Sequence, residues 1–224
     1  MFIDKSMTKD VLTIGPDAGI LEAQTIMAQN RIRHLPVVIE DNILIGIVTD
    51  RDIRSALPST LLTEGEQAAE EKKLSTLKVK DIMTRNPITV SPTQTLEDAI
   101  IMMQNRKVGA FPVVGPDNRL AGIISVRDLM RAFVNVLGLE EPGSLLGIVV
   151  ENKVGQMKRI VDAITEQGVS FGSILVARHW DEGKRAVFPY LLTSNTVRVR
   201  KRLEELGFTL LNPMEWYLDQ LPKK

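Results

Sequence analysis

The chain has 224 residues, 44% hydrophobic and 25% charged, a globular composition with room for two domains. Its 28 basic and 28 acidic residues cancel, so no global field draws it to nucleic acid or an anionic membrane, and any anion site must be local. The absence of cysteine excludes disulfides, thiolate metal sites and cysteine nucleophiles, and with no leader-like start and no apolar run of about 18 residues the chain reads as cytoplasmic.

In chain order, a short strand at Thr13-Ile14 is followed by a predicted helix over Ile20 to Asn30. RHLPVVI then reads as a β-branched strand containing Pro36, EDN as a turn and ILIGIVT as the returning strand, because Asp-Asn between apolar runs signals a hairpin. A helix follows near Asp52, whose carboxylate suits a first turn. Residues 58–75, polar with helix formers after a glycine, read as a partly helical connector.

The same order then recurs. GIVTDRDI at 46–53 returns as GIISVRDL at 122–129, an offset of 76 residues, and MTKDVLTIGP at 7–16 returns as MTRNPITVSP at 83–92. No gap is needed over 7–57, and about a third of the positions are identical, so one unit is used twice. The second copy has its strand at Thr89-Val90 and its helix from Leu96 to Arg106, opened by a capping-type Thr95-Leu-Glu-Asp.

The glycine-to-aspartate turns concentrate the chemistry. The hydroxyls of Thr49 and Ser125 suit sugar or phosphate oxygens, the carboxylates of Asp52 and Asp128 suit vicinal hydroxyls, and Arg51 and Arg127 offer forks matched to phosphate. Gly46 admits a ligand or a neighbouring backbone. The competing reading makes Asp52 a helix cap and pairs Arg51 with Asp50. His34, whose counterpart is Ala110, is either a base or phosphate contact that titrates near neutrality or a strand-end residue satisfied by backbone.

The MT openings, the HLPVV and AFPVV strands and the Gly-apolar-apolar-Thr/Ser-x-x-Asp endings resemble the cystathionine-beta-synthase (CBS) domain in its tandem arrangement, the Bateman module, with motifs at 1–57 and 76–137. The resemblance implies a pseudo-twofold pair with two clefts for adenosine nucleotides. Asp52 and Asp128 would hold ribose, Thr49 and Ser125 ribose or phosphate, and Arg51 and Arg127 would lie near phosphates. The base would lie against Thr13-Ile14 with His34, Leu35 and Pro36, and against Thr89-Val90 with Ala110, Phe111 and Pro112. AMP, ADP, ATP or S-adenosylmethionine is the implied regulatory ligand. Val126 in place of Asp50 makes the second cleft less acidic.

Beyond Gly143 the predicted order is β, α, β, β, α, β: SLLGIVVEN, a helix ending before Gly168, VSFGSILVAR, a hairpin loop HWDEGKR, AVFPYLLTS, a helix closed by Gly207, and FTLLNP. Residues 145–212 thus resemble an ACT domain, a regulatory module that commonly binds amino acids at dimer interfaces. Asn152 and Gly155 are the nearest matches to its Asp-x-x-Gly turn, with Val154 where a proline is usual. The fold class is α/β (α+β): two CBS motifs with pseudo-twofold symmetry plus a ferredoxin-like ACT-like domain, the layout of bacterial acetoin-utilisation AcuB-type proteins.

The resemblance implies a nucleotide sensor that relays through residues 134–146 to an ACT-like dimer and an unknown target protein. The rival class is a homodimeric scaffold with empty clefts, built on the apolar helices DAIIMMQ and LMRAFVNVL. An enzyme fits poorly, because His34 and His179 form no pair with each other, no metal-ligand spacing appears and no nucleophile elbow is present. RVRKR at 198–202 is followed by Glu204 and Glu205, which at helical spacing pair with Arg200, Lys201 and Arg202, so nucleic-acid binding is disfavoured.

Overall fold

The structure is a computed structural model and describes residues 1–57 and 76–212. The connector read at 58–75 lies outside the described residues. The chain divides into two compact units, Met1–Met130 and Arg131–Lys224.

The first unit is built from two copies of one hairpin. β1 (His34–Ile39) pairs antiparallel with β2 (Ile43–Thr49), and β4 (Ala110–Val114) pairs likewise with β5 (Leu120–Ser125). Registers match: His34 faces Thr49 and Ala110 faces Ser125, with an irregularity at Val37/Val38 and at Val113/Val114. The first turn works as its residues predict, since Asp41 and Asn42 both take positive φ, which short polar side chains tolerate. Across the repeats the tips are tied reciprocally: Asn42 Nδ2 donates to the Leu120 carbonyl (3.0 Å) and Asn118 Nδ2 to the Leu44 carbonyl (2.8 Å).

Helices α1 (Ile20–Asn30) and α4 (Leu96–Arg106) take the predicted bounds. Each ends on a cationic residue in the left-handed region, Arg31 or Lys107, where its charge also suits the helix C-terminus. Ala23 and Met27 of α1 pack on Leu35, Val37 and Val48, with Ile53 of α2 (Asp50–Ala56) and Val79 of α3 (Val79–Ile82) completing the cluster. The predicted early strands shrink to single parallel bridges, Ile14 to Val37 and Val90 to Val113. Each is held by two backbone bonds, Ile14 N–H to the Pro36 carbonyl and Val38 N–H to Ile14 in the first copy.

The Met-Thr openings cross between copies. β3 (Thr84–Arg85) of the second repeat pairs with Gly46 and Ile47 of β2, and Thr8 of the first bridges Ile123 of β5. The two repeats therefore share their sheets. Gly46 and Gly122 make room for this: a Cβ on Gly46 would lie 2.5 Å from Met83 Sδ, and one on Gly122 would lie 2.6 Å from Met7 Sδ. The close approach expected at Gly46 is made by the other repeat.

In the second unit, β6 (Ser144–Leu145) and β7 (Ile148–Glu151) lie end to end along one edge of β9 (Lys184–Leu191). β8 (Phe171–Asp181) takes its other edge and β10 (Thr209–Leu210) the far side of β7, all antiparallel. Helices α6 (Gln156–Thr165) and α7 (Val197–Glu205) cover one face through Ile160, Ile164, Val199 and Leu203, which meet Ile148, Val187 and Leu191. The sequence places His179-Trp180-Asp181 in a hairpin loop; the structure corrects this. All three lie on β8, which pairs as far as Asp181 with Lys184, so the turn is Glu182-Gly183 alone, with Gly183 at φ 68°. Among the described residues no helix is long and apolar enough to cross a membrane.

Candidate functional site

The candidate site of each repeat lies where the hairpin ends and a helix begins. Thr49 is the N-cap of α2, and Ser125 occupies the equivalent place before α5 (Val126–Val136). Thr49 donates from its N–H (2.8 Å) and its Oγ1 (2.7 Å) to Asp52 Oδ2, and Asp52 N–H returns a bond to Thr49 Oγ1 at 3.2 Å. Ser125 and Asp128 repeat this at 2.9, 2.6 and 3.4 Å. The helix-cap reading of Asp52 is thus realised as a complete capping box. Capping and ligand binding are compatible, because the box fixes one carboxylate oxygen and leaves the other to accept.

That second oxygen differs between copies. Oδ1 of Asp52 receives no hydrogen bond from the described residues, whereas Asp128 Oδ1 accepts from Thr8 Oγ1 at 3.4 Å, across the repeats. Asp128 is only 6% exposed, and burying an ionised carboxylate is tolerable only with such donors. Thr8 was not singled out by the sequence reading. Its recurrence in both Met-Thr openings is the signal that marks it, but only the strand crossing shows where it points.

The other positions fall into two groups. The bridges set Thr13 beside Pro36 and Thr89 beside Pro112, close to the ends of the hairpins. Leu35 and Phe111 are fully buried core side chains and Pro36 and Pro112 are buried, so these four would meet a ligand only through backbone or as a wall. Arg51 and Arg127 are exposed. Asp50 pairs with Arg54 at 2.8 Å, one helical turn on, in place of the Arg51 pairing, so the Arg51 guanidinium has no ion-pair partner among the described residues. The second copy replaces that pair with Val126 and Met130, both exposed.

His34 sits opposite Thr49, half-buried, with its ring 3.4 Å from where a Cβ on Gly109 would lie. It therefore packs against the other repeat at the residue next to its own counterpart, Ala110. Burial holds its pKa below the ordinary imidazole value and Arg33 pushes the same way, while Asp52 opposes. The unfolded chain consequently takes up the proton first, so this contribution to stability is complete above about pH 6.5 and is lost as pH falls below it. Urea denaturation between about pH 7 and pH 5 should show a steeper loss for the wild type than for His34→Ala; equal slopes would contradict this burial.

In the second unit Asn152 and Gly155 are exposed. The Asn152 N–H donates to the Gly183 carbonyl at 2.9 Å, and Gly155, at φ 93°, starts α6 without a side-chain cap. Neither belongs to the cavity of this unit that Trp180 and Phe188 line. No cluster of metal-ligating side chains occurs among the described residues.

The CBS domain family matches residues 3–59 and 79–135. A CBS domain-containing protein of Dictyostelium discoideum is 35% identical over 144 residues, which is 64% of this chain and 99% of the relative. The inosine-5'-monophosphate dehydrogenase of Methanocaldococcus jannaschii is 35% identical over 128 residues, and there the match spans only 23% of the relative's length. Among solved structures, the CBS domain pair of protein MJ0100 in complex with 5'-methylthioadenosine and S-adenosyl-L-methionine aligns at TM-score 0.50 and 29% identity, covering 59% of this chain and 95% of that one. CBSX2 in complex with AMP aligns at 0.51 and 26%, covering 60% and 97%. A Vibrio cholerae protein assigned to acetoin utilization (AcuB) aligns at 0.53 and 28%, covering 63% and 98%. The duplicated hairpins, the shared sheets and the repeated capping boxes lie within the matched segments, and the chain belongs to the CBS domain family, its tandem pair being a regulatory, non-catalytic module.

Proposed function

We propose that the tandem pair senses an adenosine nucleotide, with Asp52 and Asp128 receiving ribose hydroxyls, Thr49 and Ser125 beside them and Arg51 and Arg127 near phosphate. The observation that carries this reading is the duplication of one hydroxyl-carboxylate constellation at the mouth of each hairpin, with one oxygen tied down and the acid already oriented. Pre-orientation lowers the ordering cost of binding. The AMP bound to CBSX2 and the two adenosyl compounds bound to MJ0100 support the ligand class. Thr13, His34 to Pro36, Thr89 and Ala110 to Pro112 would form the base side of each cleft.

The strand order β10-β7-β9-β8 with two helices on one face supports an ACT-like, ferredoxin-like reading of 145–212, and the likeness to the AcuB structure supports the acetoin-utilisation layout. On this reading nucleotide binding is relayed through 134–146 to that domain or to a target protein, which requires unequal affinity for two conformers. A homodimeric scaffold is favoured by one observation: Val126 and Met130, one helical turn apart on α5, are exposed apolar side chains.

A thermal denaturation series tests the sensor reading. AMP, ADP, ATP or S-adenosylmethionine at about a hundredfold over its dissociation constant should add about 2.7 kcal/mol per filled site and raise the unfolding midpoint. Midpoints unmoved by all four would leave the scaffold.

A further inference from the structure

The second unit holds a cavity of about 250 Å³ that the nucleotide reading does not use. Leu145, Leu146, Leu210 and Leu211 supply aliphatic wall, and Trp180 and Phe188, edge to face at 5.6 Å, supply the aromatic side. Gly147, which interrupts the line from β6 to β7, also lines the cavity. A Cβ there would lie 2.9 Å from Leu211 Cβ, and the Leu211 N–H donates to the Gly147 carbonyl at 2.8 Å.

Among the described residues one charged side chain lines this apolar space: Arg200 of α7. Helical spacing pairs Arg200 with Glu204, but among the described residues the basic run engages acids only through Arg202, which meets Glu166 at 3.1 Å and Glu205 at 3.9 Å. Among the described residues the Arg200 guanidinium has no ion-pair or hydrogen-bond partner, and no carboxylate of theirs lines the cavity. A planar fork at the rim of a leucine and tryptophan pocket matches a carboxylate attached to a short apolar chain. An α-ammonium would enter without an acid to meet it, which disfavours amino acids.

We propose that this cavity is a binding site for a small branched or aromatic monocarboxylate, with the carboxylate on Arg200 and the apolar chain against Trp180 and Phe188. It is distinct from Asn152 and Gly155, and it stands whether or not the first unit binds nucleotide.

The test titrates 4-methylpentanoate into the full chain, read by calorimetry and by Trp180 fluorescence in a Trp216→Phe background that removes the other indole. Leucine and 4-methylpentanamide are the comparison ligands. The expected result is saturable binding of the acid, at least about tenfold weaker binding of both comparison ligands, and a loss of about tenfold or more in Arg200→Gln, with Arg200→Lys between them. Arg200 is exposed, so an unchanged unfolding midpoint will show that Arg200→Gln is folded. No saturable binding of the acid at millimolar concentration would overturn the proposal. So would undiminished affinity in Arg200→Gln, or leucine binding as tightly as the acid.

Discussion

Gly122→Val and Gly46→Val should each lower the unfolding free energy of the first unit by roughly 3 kcal/mol, the upper part of the range for overpacking. A Cβ on Gly122 falls 2.9 Å from the Thr8 carbonyl oxygen as well as 2.6 Å from Met7 Sδ; on Gly46 the distances are 3.1 Å to the Thr84 oxygen and 2.5 Å to Met83 Sδ. A methionine end can swing away. The carbonyl oxygens cannot, because they belong to the crossing segments, and Thr8 accepts from the Ile123 N–H at 3.0 Å. The cost is steric, since neither glycine takes positive φ. Gly15 and Gly115 are the controls, because a Cβ at either meets nothing within 4 Å and alanine there should leave stability within about 0.5 kcal/mol. Urea denaturation measures all four variants, and a loss below about 0.5 kcal/mol at both Gly46 and Gly122 would mean that the repeats do not share their sheets as described.

How much of this was readable depended on whether a feature leaves a periodic trace. The bounds of α1 and α4 were legible because their apolar spacing runs for three turns, and the first hairpin was legible because Asp41-Asn42 suits positive φ. The exchange of Met-Thr segments was not, since one or two bridged residues make no alternation. Gly46 was recognised as a place of close approach, yet the sequence could not say that Met83 and Thr84 would be the neighbours. The sequence puts Trp180 in the loop HWDEGKR, yet polar residues such as His179 and Asp181 also suit the exposed edge strand β8 on which they lie. Arg200 shows the limit of spacing rules: two acids within reach do not decide where a long side chain goes.

On the proposed sensor reading, Asp52→Ala and Asp128→Ala should each weaken adenosine-nucleotide binding in their own cleft by about a hundredfold, because two hydrogen bonds to a charged acceptor would be removed from the ribose. Both substitutions also damage a capping box, worth about 1 kcal/mol, with a larger loss at the buried Asp128, where Ser125 and Thr8 are left without their acceptor. The protein carries its own control. Asp98 accepts from Thr95 N–H at 3.1 Å and Thr95 Oγ1 at 2.7 Å, the same box at the start of α4 and outside the proposed set. Asp98→Ala should cost about the same stability as Asp52→Ala and leave nucleotide affinity unchanged. Equal affinity losses in all three variants would assign the effect to folding.

The most direct measurement is isothermal titration calorimetry of AMP, ADP, ATP and S-adenosylmethionine into the wild type, Asp52→Ala, Asp128→Ala and the double variant. The sensor account predicts saturable heat from at least one ligand in the wild type, loss of one cleft's share in each single variant and no heat in the double variant. No heat from any of the four in folded wild-type protein, or undiminished binding in the double variant, would contradict it.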